Sequence, residues 1–558
     1  MFQKNLENIN NEALKERLSK LKLEETRWNM SYCMTPSNDY LIMKNDIPLD
    51  DIENPRKAIQ DMFKSMIKQP MGANDIIITF GIGLCYLLDE TFNTYPSKIF
   101  VYEPDINLLH FVLNNVDISE HLSSGRVYMT DRLDELLAKL AETYITKDKV
   151  EVVYLKNYAI VKNQELLELT QKVYETCKSK MIDVSTIIKY SKNWVINTIK
   201  NIGLINNKEV YKLSDIENKF IGQSALIVAA GPSFSDDIEK IKANRDKFVL
   251  FVVNKVLRQV LESGITPDFV VCLDAENVEK TFDGLDEYLP KINCITDVKA
   301  SSCVFEKNFK KIFVTFSENE MVTKKLKEFN SSIKTYETGG SAATMAFVAA
   351  VKMGFSKVIF SGLDLAFKNN VMYSTGEEIQ KIDDSTMKFF SKDKKLTEVP
   401  SVTGANVLTR EDYAAFIKHF ETLVKEMNYQ GAYYTTSFGA KIEGMKNKPL
   451  DEISLLVTSN TTSIILGDAK PFKIETKEWT QAELYLINAV ISLLSNETFS
   501  PALVSAIVKS PILYEYLQAD ILKVLQSRMD EGLAEEFLEK TKSAIKEVVD
   551  ILQKNRLI

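Results

Sequence analysis

Between Gln223 and Asn277 the chain sets out three short apolar runs, each stopping on a glycine or a polar residue. Residues 225–230 run into Gly231-Pro232-Ser233, 248–253 stop at Asn254, and 269–273 stop at Asp274. Helical sequence separates them. Runs that are apolar at every position, rather than at alternate ones, fit strands covered on both faces, as in a parallel sheet. Such sheets take ligands beyond the carboxyl ends of their strands. The stretch therefore predicts a site around Gly231, Ser233, Asn254 and Asp274.

The pattern continues. Residues 312–316 read as a fourth strand and 357–360 as a fifth, the latter ending in Ser361-Gly362-Leu363-Asp364. Thr338, Gly339, Gly340 and Ser341 precede an apolar helix over 342–353. The polar segment 366–412, which holds Tyr373 and Thr403-Gly404-Ala405-Asn406, has the length of a lid or binding loop. Nearer the N-terminus, a strand over 76–79 is followed by Gly81-Ile82-Gly83, and a strand over 99–102 ends in Glu103. A glycine pair with an acid about 20 residues on is a nucleotide-binding arrangement. Leu84-Cys85-Tyr86 stands where the third glycine belongs, so tight strand-to-helix packing is the competing reading. Residues 161–205 are helical, with Leu166, Leu169, Val173, Cys177 and Met181 on one face, and 470–558 are helical again.

The predicted class is α/β, in three parts. Residues 1–205 hold an N-terminal arm, a Rossmann-like domain and connecting helices. Residues 206–465 hold a central α/β domain with a mostly parallel sheet, and 466–558 a helical domain suited to packing or oligomerisation. A chain of 558 residues is too long for one core. A net charge of -8 argues against nucleic acid as a partner. Cys33, Cys85, Cys177, Cys272, Cys294 and Cys303 show no metal-binding spacing. The N-terminal residues contain no apolar leader, and no run reaches the roughly 18 apolar residues of a membrane span. The expected location is the cytoplasm.

Gly231-Pro232-Ser233 has the chemistry of an anion site at a helix start: close backbone approach, a preset φ, and amides with a hydroxyl. No Gly-Lys-Ser/Thr follows, and Asp236 and Asp237 put negative charge there instead, which speaks against a P-loop. Thr338, Gly339, Gly340 and Ser341 offer amides and hydroxyls to a phosphate or carboxylate. Asp274 and Glu276 could share a divalent cation or cap a turn; no metal is expected. Asp364 reads either as a site residue or as a buried acid bonded to backbone amides. His110, His121 and His419 all lie away from the predicted strand ends, which argues against a Ser-His-Asp triad.

Taken together, LIVAAGPS, FVVN, TPDFVVCLD, TGGSAATMA and FSGLDLAF resemble the motility-associated (Maf) flagellin glycosyltransferases, whose central domain is related to bacterial sialyltransferases. The resemblance implies transfer of a nonulosonic acid, pseudaminic or legionaminic, from its CMP-activated form to Ser or Thr of flagellin, with no cofactor required. It implies that Gly231, Pro232 and Ser233 border the CMP phosphate and that Asn254 holds the nucleotide. Thr338, Gly339, Gly340 and Ser341 would face the phosphate or carboxylate. Gly362 and Asp364 would lie beside the cytidine, and Tyr373 near the phosphate. Two departures stand out: Ala230 replaces an Asn before Gly-Pro-Ser, and no histidine falls between Phe367 and Arg410 to serve as base. An ordinary carboxylate, with a pKa of about 4, is a weak base unless burial raises it. Asp274, Glu276 and Asp364 are the catalytic candidates, with Asp274 preferred.

Three other functions compete. One is an ATP- and magnesium-dependent pyrophosphokinase of a pterin-like substrate. Another is a non-enzymatic flagellin-binding factor. The third is an S-adenosylmethionine methyltransferase using Gly81, Gly83 and Glu103.

Overall fold

The computed structural model describes residues 1–23, 30–44, 47–276, 278–367, 396–457, 466, 469–495, 498–526 and 531–558. The chain divides into two compact units, Met1–Ser185 and Thr186–Ile558.

The first unit begins with two short helices, Phe2–Asn8 and Glu12–Ser19, followed by three antiparallel strands, β1 (Met30–Met34), β2 (Tyr40–Lys44) and β3 (Ile47–Pro48). Asn54 then accepts the Lys57 N–H at 2.9 Å, and Pro55 opens the helix Pro55–Met66. A side-chain cap before a proline at the first helical position is a strong start signal. The main sheet is parallel. Its strands are β4 (Ile76–Phe80), β5 (Lys98–Tyr102), β6 (Val127–Thr130) and β7 (Val150–Tyr154), in the order β6-β5-β4-β7. All five residues of β4 are buried, Thr79 among four apolar ones.

The second unit is built on nine parallel strands. They are β8 (Val210–Lys212), β9 (Ser224–Val228), β10 (Val249–Val253), β11 (Phe269–Cys272), β12 (Asn293–Asp297), β13 (Lys311–Thr315), β14 (Lys357–Ser361), β17 (Ala432–Tyr434) and β18 (Lys446–Asn447). Their order is β18-β17-β14-β9-β10-β11-β12-β13-β8. The two-residue period of a strand divides the core between the faces. Leu226, Val228, Leu250, Val252 and Val270 point to one core. Ala225, Ile227, Val249, Phe251, Phe269 and Val271 point to the other, where Phe251 and Phe269 stack at 4.8 Å. The helix Ala342–Met353 packs against β9, β10, β11 and β14 on this second face. A short antiparallel hairpin, β15 (Leu396–Pro400) and β16 (Asn406–Arg410), adds to this unit.

Four helices close the chain: Lys477–Leu494, Pro501–Lys509, Pro511–Gln526 and Glu531–Lys554. Pro501 and Pro511 start helices rather than interrupt them, since a first-turn proline gives up no intrahelical bond. The α/β class, the parallel sheets and the helical C-terminal region are thus all present.

Candidate functional site at the carboxyl ends of the second sheet

Strand order reverses at β9. From it the chain steps outward through β10, β11, β12 and β13, while β14 returns to its other side. Doubly wound sheets bind ligands at such a reversal. Ala230 to Ser233 follow β9 and Gly362 to Asp364 follow β14, so the candidate residues meet at the reversal.

They meet closely. Ala229 donates its N–H to Ser361 O at 2.8 Å, and Gly231 donates to Gly362 O at 2.8 Å. A Cβ on Gly231 would overlap Gly362 O and come within 2.5 Å of the Asp364 carboxylate. Gly362 has φ +76°, and a Cβ there would overlap Ala229 O. Both glycines serve the approach of one strand end to the other. Asp364, 1% exposed, accepts the Ser233 N–H at 2.8 Å. The first-turn amide of the helix Phe234–Ala243 therefore already has an anion of the chain's own. Asp237 in the same turn is also drawn inward, accepting the hydroxyls of Ser361 at 2.8 Å and Thr435 at 2.5 Å. Burial pushes its carboxyl above the usual range, against the lowering effect of those hydroxyls.

One strand further on, Asn254 (4% exposed) donates its Nδ2 to Asp274 Oδ2 at 3.0 Å. The pair joins the ends of β10 and β11. Asn254 is fixed in the interior and Asp274 is exposed, so one partner is held and the other presented. The Asp274 carbonyl receives Ser301 N–H at 2.8 Å, which ties the β11 end to the next crossover. Glu276 is exposed and faces Lys189 at 3.5 Å. Among the described residues, no group of three or more His, Cys, Asp or Glu side chains is placed to hold a metal ion.

A helix linking parallel strands runs back against them, so the helix Ala342–Met353 starts on the carboxyl side of the sheet. Ser341 caps it through a reciprocal bond with Thr344. Gly339 has φ +67°, and His419 of the helix Glu411–Glu426 lies directly against it; a Cβ on Gly339 would overlap the imidazole Nε2. That Nε2 is buried and has no hydrogen-bond partner among the described residues. Burial lowers the His419 pKa below its ordinary 6.5, against Glu337 and Glu426, so the ring is neutral at pH 7. Sequence reading left His419 aside because it is 80 residues from Gly339, and no local pattern joins a helix interior to a remote turn. The β15–β16 hairpin lies nearby: Thr409 Oγ1 donates to Leu365 O at 2.6 Å, and Phe367 N–H to Leu408 O at 3.0 Å. Tyr373 lies outside the described residues.

The site residues thus form three groups: Gly231, Pro232 and Ser233 with Gly362 and Asp364; Asn254 with Asp274; and Thr338, Gly339, Gly340 and Ser341 with His419. All follow strands, or begin the helix, on one side of β14-β9-β10-β11. Adjacent strands are about 4.8 Å apart, so these four ends span about 14 Å. Glu276 stands apart, turned to Lys189.

The glycine corner of the first unit is closed. Tyr158, 1% exposed, fills the space beside Gly81, and its hydroxyl bonds the Glu103 carboxylate. Glu103 also accepts the N–H groups of Ile82 at 3.0 Å and Asp105 at 2.8 Å. The acid that would meet a ribose is engaged within the chain.

A doubly wound α/β unit with polar strand ends at its order reversal defines the class. Within that class, residues 196–370 match the family of 6-hydroxymethylpterin diphosphokinase MptE-like proteins. An uncharacterized protein of Treponema pallidum (strain Nichols) is 25% identical over 174 residues, covering 30% of this chain and 79% of that protein. The whole chain shares its fold with a solved MAf glycosyltransferase from Magnetospirillum magneticum AMB-1. The TM-score is 0.67 at 15% identity, over 100% of this chain and 96% of that one. The Maf resemblance seen in the strand-end motifs is matched at the level of fold.

Proposed function

We propose that this chain is a cytoplasmic Maf-type glycosyltransferase, moving a pseudaminic or legionaminic type of nonulosonic acid from CMP to a Ser or Thr hydroxyl of flagellin. The observation that carries the reading is the full-length fold match to a MAf glycosyltransferase, with the quoted motifs lying together at the order reversal. In this reading the bond from the anomeric carbon to the phosphate breaks and CMP leaves. The acceptor oxygen bonds the anomeric carbon and gives up its proton. The transition state is oxocarbenium-like, and CMP leaves without a strong acid. Gly231, Pro232, Ser233 and Gly362 form the floor beside the donor, with Asn254 on the nucleotide. The amides of the 338–341 turn take the phosphate or carboxylate, with Tyr373 near the phosphate. Asp364 acts by holding the floor together, as its bond to Ser233 suggests. Asp274 is the acceptor's base, oriented by Asn254, and Glu276 is the weaker candidate because it faces Lys189. No cofactor enters.

The test is intact-mass measurement of flagellin after incubation with CMP-linked nonulosonic acids. Gain of one sugar mass per site supports the reading; no gain across several donors with folded protein opposes it. The match of 196–370 to the diphosphokinase-like family favours a second reading, diphosphate transfer to a pterin-like substrate. Thermal shift with CMP against ATP and magnesium separates the two.

A further inference from the structure

Tyr190, Trp194, Asn197 and Asn201 belong to the helix Asn163–Asn207 and lie in the second unit. Their spacing keeps them within about 60° of one another around the helix axis, so they share one face. The two amides tie that face to the carboxyl side of the sheet. Asn201, fully buried, donates its Nδ2 to Val298 O at 2.8 Å and to Ala300 O at 2.7 Å. Asn197 donates to Lys299 O at 3.2 Å and to Ala275 O at 2.9 Å. These carbonyls belong to the turns that follow β11 and β12. Ala275 is the residue after Asp274, so the helix is fastened directly beside the proposed base.

Toward its N-terminal side the same face carries two aromatic rings. Tyr190 and Trp194, both half-buried, stack with centres 6.1 Å apart and planes inclined by 22°. Lys299 Nζ lies 4.6 Å from the Trp194 ring and bonds Glu320 at 2.6 Å. Lys189 Nζ lies 4.6 Å from the Tyr190 ring and 3.5 Å from Glu276 Oε1. The rings are thus held by a cation at each end, a favourable arrangement for their electron-rich faces. Glu276 joins this ledge to the end of β11, two residues beyond Asp274.

Strand order says what the ledge is for. The donor floor comes from the ends of β9 and β14, and Asn254 ends β10. Asp274 follows β11, and the helix is bonded to the turns after β11 and β12, on the side away from β14. Asp274 therefore stands between the donor floor and the ledge. A hydroxyl that gives its proton to Asp274 brings its polypeptide with it. Extended chain advances about 3.3 Å per residue, so residues about two to four places from the acceptor reach the rings.

We propose that Tyr190 and Trp194, with Lys189 and Glu276 at their rim, form the acceptor subsite. An apolar side chain of the acceptor polypeptide, near its Ser or Thr, packs on Tyr190. The assignment rests on the transferase reading and gives Glu276 a part in acceptor binding.

The experiment measures flagellin binding to the full chain without donor, by interferometry, beside the kinetics of sugar transfer. Tyr190→Ala weakens flagellin binding and raises the acceptor KM about tenfold or more, while kcat, the donor KM and the melting temperature hold. Tyr190→Phe, which keeps the ring, restores the wild-type values. Lys189→Glu, on the exposed rim, sets two acids together and raises the acceptor KM as well, so the test survives a poorly folded Tyr190→Ala. Undiminished flagellin binding in both variants overturns the proposal. So does a rise in donor KM in place of the acceptor KM, which would put the sugar on the ledge. Absence of flagellin binding by the wild type overturns it too. Weakened binding in the variants, with no transfer by any of the proteins, supports the ledge and counts against the transferase reading alone.

Discussion

Ser233 gives its backbone N–H to the carboxylate of Asp364 at 2.8 Å, across the ends of two neighbouring parallel strands and 131 residues of chain. The bond neutralises the start of the helix Phe234–Ala243 from outside that helix. Asp364→Ala should cost about 1.5–3 kcal/mol, the usual worth of a hydrogen bond to a charged group. Hydrogen exchange at Ser233 and Phe234 checks it, since protection should fall there first. Unchanged exchange in the variant would remove Asp364 from this role.

Gly231→Ala tests the same junction from the other side. Its Cβ would overlap Gly362 O and crowd Asp364, so the strand ends must part. Overpacking of this kind costs about 1–3 kcal/mol. The readout is the urea midpoint, with donor-analogue binding measured beside it.

Asp274 is exposed and Asn254 buried, so the two halves of their bond should fail differently. Asp274→Ala should leave the melting temperature within a degree or two, since surface changes are worth about 0.5 kcal/mol or less. Sugar transfer should fall by about 10² or more, as for loss of a general base. Asn254→Ala should lower both. Full transfer by Asp274→Ala would send the search for the base to His419.

His419 predicts a pH effect. Its folded pKa is lowered by burial below the ordinary 6.5, so the unfolded chain takes up the proton first. The stability it contributes is present above pH 6.5 and is lost as pH falls through the folded value. His419→Gln should flatten the stability curve on the acid side of 6.5, measured by denaturant titration at stepped pH. An unchanged acid limb would contradict this.

Glu483 works in the opposite direction. It is fully buried, accepts the Ser510 hydroxyl at 2.8 Å, and burial raises its pKa to about 7 from an ordinary 4.5. Its contribution is whole below pH 4.5 and is lost as pH rises through about 7. Each tenfold change in proton affinity is worth about 1.4 kcal/mol, so Glu483→Gln should stabilise the chain at pH 8 by up to about 3 kcal/mol. At pH 4.5 it should make little difference. Urea midpoints of the two proteins at the two pH values check the sign.

The sheet was legible where a run of three or more apolar residues fills the strand centre, as in β9, β10, β11 and β14. β12 (Asn293–Asp297) escaped because Asn293, Thr296 and Asp297 dilute the apolar signal, although all three are buried. Two of them bond elements outside the strand: Asn293 donates to Asp268 O, and Asp297 accepts the Thr315 and Ser317 hydroxyls. The site was legible as a set of strand ends, because position in a parallel sheet follows from local pattern. Its pairings were not, since Ser233 with Asp364 and Gly339 with His419 are tertiary facts. Met181 shows the same limit. Helical spacing placed it with Leu166 and Val173, whereas it faces outward.

Tyr158, lodged against Gly81 and bonded to Glu103, acts as a ligand covalently tethered to its own receptor. A dinucleotide domain that waits for its cofactor gains stability by mass action as the metabolite accumulates. Here that contribution is constant, because the occupant cannot dissociate. The first unit should therefore melt at the same temperature in nucleotide-rich and nucleotide-free solution, its shape indifferent to the metabolic state around it.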